Sequence, residues 1–173
     1  MKDRHKAAKF YQDALGYKIA TEFLIDFGGE DGTAECLVLI PPERKTEEKK
    51  PWICNVDEQE YHIAPEIFIS DGSENSIVGK WVKARGGIGG LHHFAYAVES
   101  VENTMKEWID CGYAEFSSDA PFHCEGLTQC FTKPSELTGV IIELIQREEQ
   151  GFCQKNVLNL MKSTANLDVL MEK

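Results

Sequence analysis

Two hydrophobic periods alternate along this chain, and each change of period predicts an element. Residues 3–15 repeat with the helical period: Ala7, Phe10, Tyr11, Ala14 and Leu15 share one face, Asp3 stands in the N-cap position and Gly16 ends the run. Residues 17–26 alternate with period two, 28–32 form a glycine-rich turn and 34–40 read as the returning strand of a hairpin. From 41 to 62 the chain is polar, charged and interrupted by proline, which predicts a surface insertion. A strand over 63–70, a turn at Asp71-Gly72-Ser73 and a short helix over 77–84 complete the first half.

The second half opens on residues 90–98, Gly-Leu-His-His-Phe-Ala-Tyr-Ala-Val. Alternation puts His93, Ala95 and Ala97 on one face and His92, Phe94, Tyr96 and Val98 on the other, so one imidazole stands beside two small side chains with space before it. A helix over 101–111 follows, with Ser100 as cap and Val101, Met105, Trp108 and Ile109 on one face. Strands are expected over 113–116, 127–132 and 139–146. A last amphipathic helix over 153–163 buries Val157, Leu158, Leu160 and Met161.

The halves repeat: cap, helix, Gly and Tyr run from Asp3 to Tyr17 and again from Ser100 to Tyr113, 97 positions later by cap residue. Each helix is followed by three strands, which gives an α+β protein of paired β-α-β-β-β modules, 1–85 and 86–173, plus a C-terminal helix. The first module begins directly on its helix. Its opening strand, about eight to ten residues, is therefore either dispensed with or expected upstream of Met1. A sheet edge left open in this way invites a second chain, so a homodimer or poor solubility is expected.

Composition narrows the function. A formal net charge of −11 repels phosphate backbones and anionic membrane surfaces, which argues against nucleic-acid and membrane partners and for a small-molecule substrate. No apolar run approaches the roughly 20 residues of a membrane span, and the N-terminus lacks a signal-peptide core, so a cytoplasmic location is expected. The six cysteines are scattered without metal-type spacing and are expected as free thiols, Cys54 the most reactive. Gly86, Gly87, Gly89 and Gly90 precede a strand rather than a helix, which is not the context of a phosphate-binding loop.

The chemistry concentrates on two strands. Glu143 lies within the apolar run 140–146, where an unpaired carboxylate costs several kcal/mol. A metal ion, a buried Arg147 or Lys133, or protonation would each offset that cost. Glu66 is its counterpart in the first module. An imidazole and a carboxylate on neighbouring strands begin a 2-His-1-carboxylate site. The second His would come from the first module's opening strand. His5 and His62 are expected in solvent, His123 in a loop that reaches towards the pocket, and His92 on the face opposite His93.

The doubled unit, with His on an opening strand and Glu on a closing strand, resembles the vicinal-oxygen-chelate (glyoxalase/bleomycin resistance) superfamily. The runs Gly90-Leu91-His92-His93-Phe94-Ala95, Leu127-Thr128-Gln129-Cys130-Phe131-Thr132-Lys133-Pro134 and Ile142-Glu143-Leu144-Ile145-Gln146-Arg147, continuing to Gly151-Phe152 and Asn156, resemble the C-terminal catalytic half of 4-hydroxyphenylpyruvate dioxygenases. That resemblance implies an Fe(II)-dependent dioxygenase, an oxidoreductase acting on a 2-oxo acid. It implies His93 and Glu143 as metal ligands, Gln129 in contact with substrate, and Phe152 with Asn156 on a helix closing the pocket. The chain departs from the pattern in lacking that family's N-terminal half and first ligand His, and in carrying Cys153 and Lys155 near the gate. A second branch is visible in Asn75-Ser76-Ile77 to Trp81 followed by the glycines and His92-His93-Phe94-Ala95, which looks like the linker of methylmalonyl-CoA epimerases. It implies a metal-dependent epimerase or lyase, with Glu66 as ligand or base. A non-catalytic binding protein of the same fold is the remaining alternative.

Overall fold

The computed structural model describes residues 1–42, 55–56, 59–60, 65–136, 138–148 and 154–165. Helix α1 (Arg4–Leu15) starts where the Asp3 side chain accepts the Lys6 N–H at 2.9 Å. It ends at Gly16, whose φ of 75° lets its N–H return to Gln12 O. Its face buries Ala8 against Tyr17, Leu37, Leu39 and Ile69. Leu37, Leu39 and Ile69 belong to a three-stranded antiparallel sheet, β1 (Lys18–Asp26), β2 (Thr33–Ile40) and β5 (Ile67–Gly72), ordered β1-β2-β5. Arg4 ties the helix to all three strands through Glu22 on β1, Glu35 on β2 and Asp71 on β5. Within the expected insertion, β3 (Asn55–Val56) and β4 (Gln59–Glu60) form a two-residue antiparallel pair.

Helix α2 (Ile77–Ala84) is capped by Ser76, whose hydroxyl accepts from the Gly79 N–H and donates to Ser73 O. A Cβ at residue 79 would stand 2.0 Å from that same carbonyl, so the capping turn closes only over glycine. Beyond the linker, β6 (His93–Ala97) runs parallel to β9 (Ile141–Arg147), which pairs antiparallel with β8 (Leu127–Phe131), and β8 with β7 (Phe122–Cys124). The order is β6-β9-β8-β7. Helix α3 (Val101–Asp110), capped by Ser100, covers one face of this sheet through Val101 and Met105 packed on Cys130 and Leu144.

The two sheets correspond strand for strand: β1 to β7, β2 to β8 and β5 to β9, with no counterpart of β6 described in the first. The expectation of an α+β fold of paired, glyoxalase-like units with a C-terminal helix therefore holds. Helix α4 (Gln154–Thr164) joins them. Leu160 packs on Phe131, Ile141 and Phe122, while Val157, Leu158 and Met161 pack on the cluster of Ile25, Phe27, Ala34, Cys36 and Val78.

One expected strand moves. Residues 113–116 supply only a bridge between Phe116 and Thr132, and the strand in that position is Phe122–Cys124. The serines explain the break: Ser117 turns its N–H and hydroxyl to Phe131 O, and Ser118 donates to Ala120 O, which closes the chain into bends before pairing resumes. The expectation of free thiols is corrected as well, because Cys124 is disulfide-bonded. Cys36, Cys111 and Cys130 are free. The expectations for Cys54, His62, Phe152 and Cys153 fall outside the described residues.

Candidate functional site

Register assembles the site. Ala95 of β6 and Phe131 of β8 both pair with Glu143 of β9, and Gln129 pairs with Ile145. Because partners across a ladder share a face, His93, Ala95, Glu143, Phe131 and Gln129 all lie on one side of the sheet. His93 Nε2 lies 3.2 Å from Glu143 Oε2. The carboxylate is buried, with 10% of its side chain accessible, and the imidazole keeps 27%. Phe131 backs the imidazole with ring centroids 4.8 Å apart. Ala95 and Ala97 remain exposed beside it, as a roomy strand face requires.

The partner that offsets the burial of Glu143 is thus His93. The two cations considered for that role are engaged elsewhere, Lys133 with Glu115 at 2.6 Å and Arg147 with Glu66 at 3.4 Å. Gln129 is 1% exposed, and its Nε2 has no hydrogen-bond partner among the described residues. Asn156 is fully buried and donates through Nδ2 to Phe122 O at 3.2 Å and Leu127 O at 3.3 Å, which clamps α4 to β7 and β8. Its Oδ1 has no partner among the described residues. His123 is exposed on the opposite face, between Thr128 and Glu102, and does not reach this group. His5 is exposed beside Glu22, as expected.

The residue that strand alternation misplaced is His92. It precedes β6, so the period of two does not govern it, and its Nδ1 lies 2.9 Å from His93 Nδ1 instead of on the far face. Burial, followed by the proximity of His93 and Arg85, pushes its pKa down to about 3. The only sequence signal for this contact is the His-His doublet itself. A cleft of about 500 Å³ lies on the other side of the sheet, between α3 and residues 112–119, and includes none of these side chains.

Among the described residues no group of three or more His, Cys, Asp or Glu side chains stands together to hold a metal. The pair alone fits one. Bonds of about 2.1 Å place neighbouring donors about 3.0 Å apart at octahedral angles and about 3.4 Å at tetrahedral ones, so a 3.2 Å separation fits one edge of a divalent cation's shell. An imidazole nitrogen with a carboxylate oxygen suits borderline divalent ions and leaves the other positions to water or substrate oxygens. No described helix is long and apolar enough to cross a membrane.

Repeated helix-and-sheet units with His and Glu on adjacent strands of one sheet define a class. The family model of the glyoxalase/bleomycin resistance protein/dioxygenase superfamily matches residues 1–131, and the chain belongs to that superfamily. No curated protein sequence matches it. Among solved structures, a selenomethionine methylmalonyl-CoA epimerase aligns with a TM-score of 0.59 and 23% identity, covering 86% of this chain and 90% of its own. A methylmalonyl-CoA epimerase from Mycobacterium tuberculosis aligns at 0.58 and 18%, covering 86% and 83%. A methylmalonyl-CoA epimerase in complex with methylmalonyl-CoA and NH4+ aligns at 0.54 and 20%, covering 86% and 89%.

These likenesses overturn the expectation of an Fe(II)-dependent dioxygenase acting on a 2-oxo acid. The similar folds are those of epimerases, which was the alternative reading. The physical reason is that a His strand beside a Glu strand is a metal-anchoring device that serves several chemistries, so runs 90–95 and 142–147 do not distinguish an oxidoreductase from an isomerase.

Proposed function

We propose that the chain is a metal-dependent epimerase or lyase that moves a proton on a carbon beside a carbonyl, with a CoA ester of a branched dicarboxylic acid as its substrate type. The observation that carries this reading is the approach of His93 Nε2 to 3.2 Å from Glu143 Oε2 on one face of the sheet. The likeness of the fold to methylmalonyl-CoA epimerases supports the choice of substrate. His93 and Glu143 would hold the ion, which when bound supplies Lewis-acid stabilisation to negative charge on a carbonyl oxygen. Phe131 keeps the His93 ring against the sheet, and Ala95 and Ala97 leave room for the substrate. Gln129, whose Nε2 is an unpartnered donor on that face, is assigned to a substrate oxygen, with Asn156 holding the helix behind it. Glu66 is given no part in the chemistry. Its partner Arg147 is four residues beyond Glu143, about 13 Å along the strand.

Assembly as a homodimer belongs to the same proposal, since β6 ends the sheet with Phe94 and Tyr96 exposed, and light scattering is expected to give the dimer mass. The activity is tested by anaerobic incubation of the Co(II)-loaded protein with methylmalonyl-CoA in deuterium oxide. Exchange at the acidic carbon, lost with a chelator and in His93→Ala, is expected. Absence of exchange in a protein that binds Co(II) stoichiometrically would refute the catalytic reading and leave the binding protein.

A further inference from the structure

Side chains from α2 and from the segment entering β6 converge on the back of the His93–Glu143 pair. His92 Nδ1 lies 2.9 Å from His93 Nδ1, with the rings nearly perpendicular. The His92 ring is held edge-on between Trp81 at 5.8 Å and Phe131 at 5.9 Å. Arg85 covers the outer side of Trp81 at 4.6 Å. Its guanidinium lies across the chain at Gly90, where a Cβ would come within 3.0 Å of Nη2. The cage thus links the first module's helix to the first residue of the second module's strand.

We propose that His92 is a positioning residue that fixes the turn of the His93 ring, so that Nε2 and not Nδ1 faces Glu143. The inference rests on the proposed function only for what the pair holds. A His ring rotates easily about its last side-chain torsion, and a half-turn exchanges the edges that carry the two nitrogens. A contact on one nitrogen leaves the ring free to pivot, whereas contacts on both lock it. When Nε2 of His93 binds a cation, the ring carries its proton on Nδ1 and needs an acceptor there, as metal-ligating imidazoles generally do. His92 Nδ1 is the atom in position to accept. Trp81 and Phe131 prevent that acceptor from swinging away.

The test uses the ¹⁵N-labelled full chain. In the metal-free parent, a coupling across the hydrogen bond between the Nδ1 atoms of His92 and His93 is expected. Two substitutions separate its role from packing: H92F fills the aromatic slot without an acceptor, and H92N places an amide oxygen near the Nδ1 position. H92L serves as a second acceptor-free variant, with thermal melts recorded for all. Calorimetry with Co(II) alone is expected to give about 10- to 100-fold weaker binding for H92F and H92L, with near-parent binding for H92N. Absence of the coupling, parent-like binding by H92F and H92L, or binding by H92N as weak as theirs would overturn the inference. A parent chain with the coupling that takes up no Co(II) would uphold the positioning role and refute the proposed function instead.

Discussion

The clamp between α4 and the second sheet offers a test in which two substitutions at one buried position differ in the size of their effect. Asn156 is fully buried, donates through Nδ2 to Phe122 O and Leu127 O, and leaves Oδ1 without a partner. Substitution by alanine removes two neutral hydrogen bonds of about 1 kcal/mol each, and also removes the orphaned acceptor, whose burial costs about 1–3 kcal/mol. The terms partly cancel, so N156A is expected to lose no more than about 2 kcal/mol, cavity included. Substitution by aspartate keeps the shape but turns the donor into an oxygen facing two carbonyl oxygens in a buried site. That variant is expected to lose at least about 3 kcal/mol near neutral pH, because an unpaired charge is buried unless the group protonates or α4 lifts. Part of the loss is expected to return as pH falls and the new carboxyl takes up a proton. Urea unfolding followed by circular dichroism measures both, with limited proteolysis reporting whether the helix detaches. Equal losses for N156A and N156D, or a harmless N156D, would refute the donor assignment and with it the account of how α4 is held over the site.

Three further outcomes follow from the same geometry. Glu143→Gln removes a charge-assisted contact of about 1.5–3 kcal/mol along with the desolvation of a buried carboxylate, so stability should change by no more than about 1 kcal/mol while Co(II) affinity in calorimetry falls on the order of 100-fold. A large loss of stability with unchanged affinity would make Glu143 a structural residue. Burial pushes the Cys36 thiol up to about 11 and the Cys130 thiol up to about 12, keeping both protonated at about pH 8, whereas Cys111 is exposed. Cys111→Ser should therefore remove one rapidly reacting thiol in a disulfide-exchange assay, and Cys36→Ser or Cys130→Ser none. His92 is pushed from 6.5 down to about 3, so the unfolded chain binds a proton that the folded chain refuses. Its contribution is complete above pH 6.5 and declines as pH falls towards 3, by at most about 1.4 kcal/mol per unit. His92→Phe should flatten the acid limb of urea stability measured between about pH 7 and 4, and an unchanged limb would contradict the half-buried, neutral ring.

Most elements were legible from local signals, because caps and periods act over a few residues, but the strand expected over 113–116 was not among them. Asp3 and Gly16 bracket α1, and Ser100 caps α3, where their side chains or backbone predict. The near repeat from Asp3 and from Ser100 determined the paired modules, since two stretches with one pattern bury one kind of face. Glu143 was legible as a charge that needs an offset because apolar neighbours on both sides leave a carboxylate little access to water, and His93 drew attention because it stands beside two alanines on one strand face.

What decided the rest acts across the chain. That Glu143 meets His93, and not Arg147 or Lys133, depends on the registers of β6, β9 and β8, which pair residues tens of positions apart and follow no local period. The strand at Phe122–Cys124 took the place of 113–116 because bends at Ser117 and Ser118 and the α4 clamp on Phe122 outweigh local alternation. His92 turned towards His93 because it stands just outside the strand, where Trp81, Phe131 and Arg85 set the direction of its ring. Sequence alone therefore determined which residues are costly to bury, while the tertiary structure decided which of them meet. Strand and helix periods are properties of the backbone, but partners are chosen by register and packing.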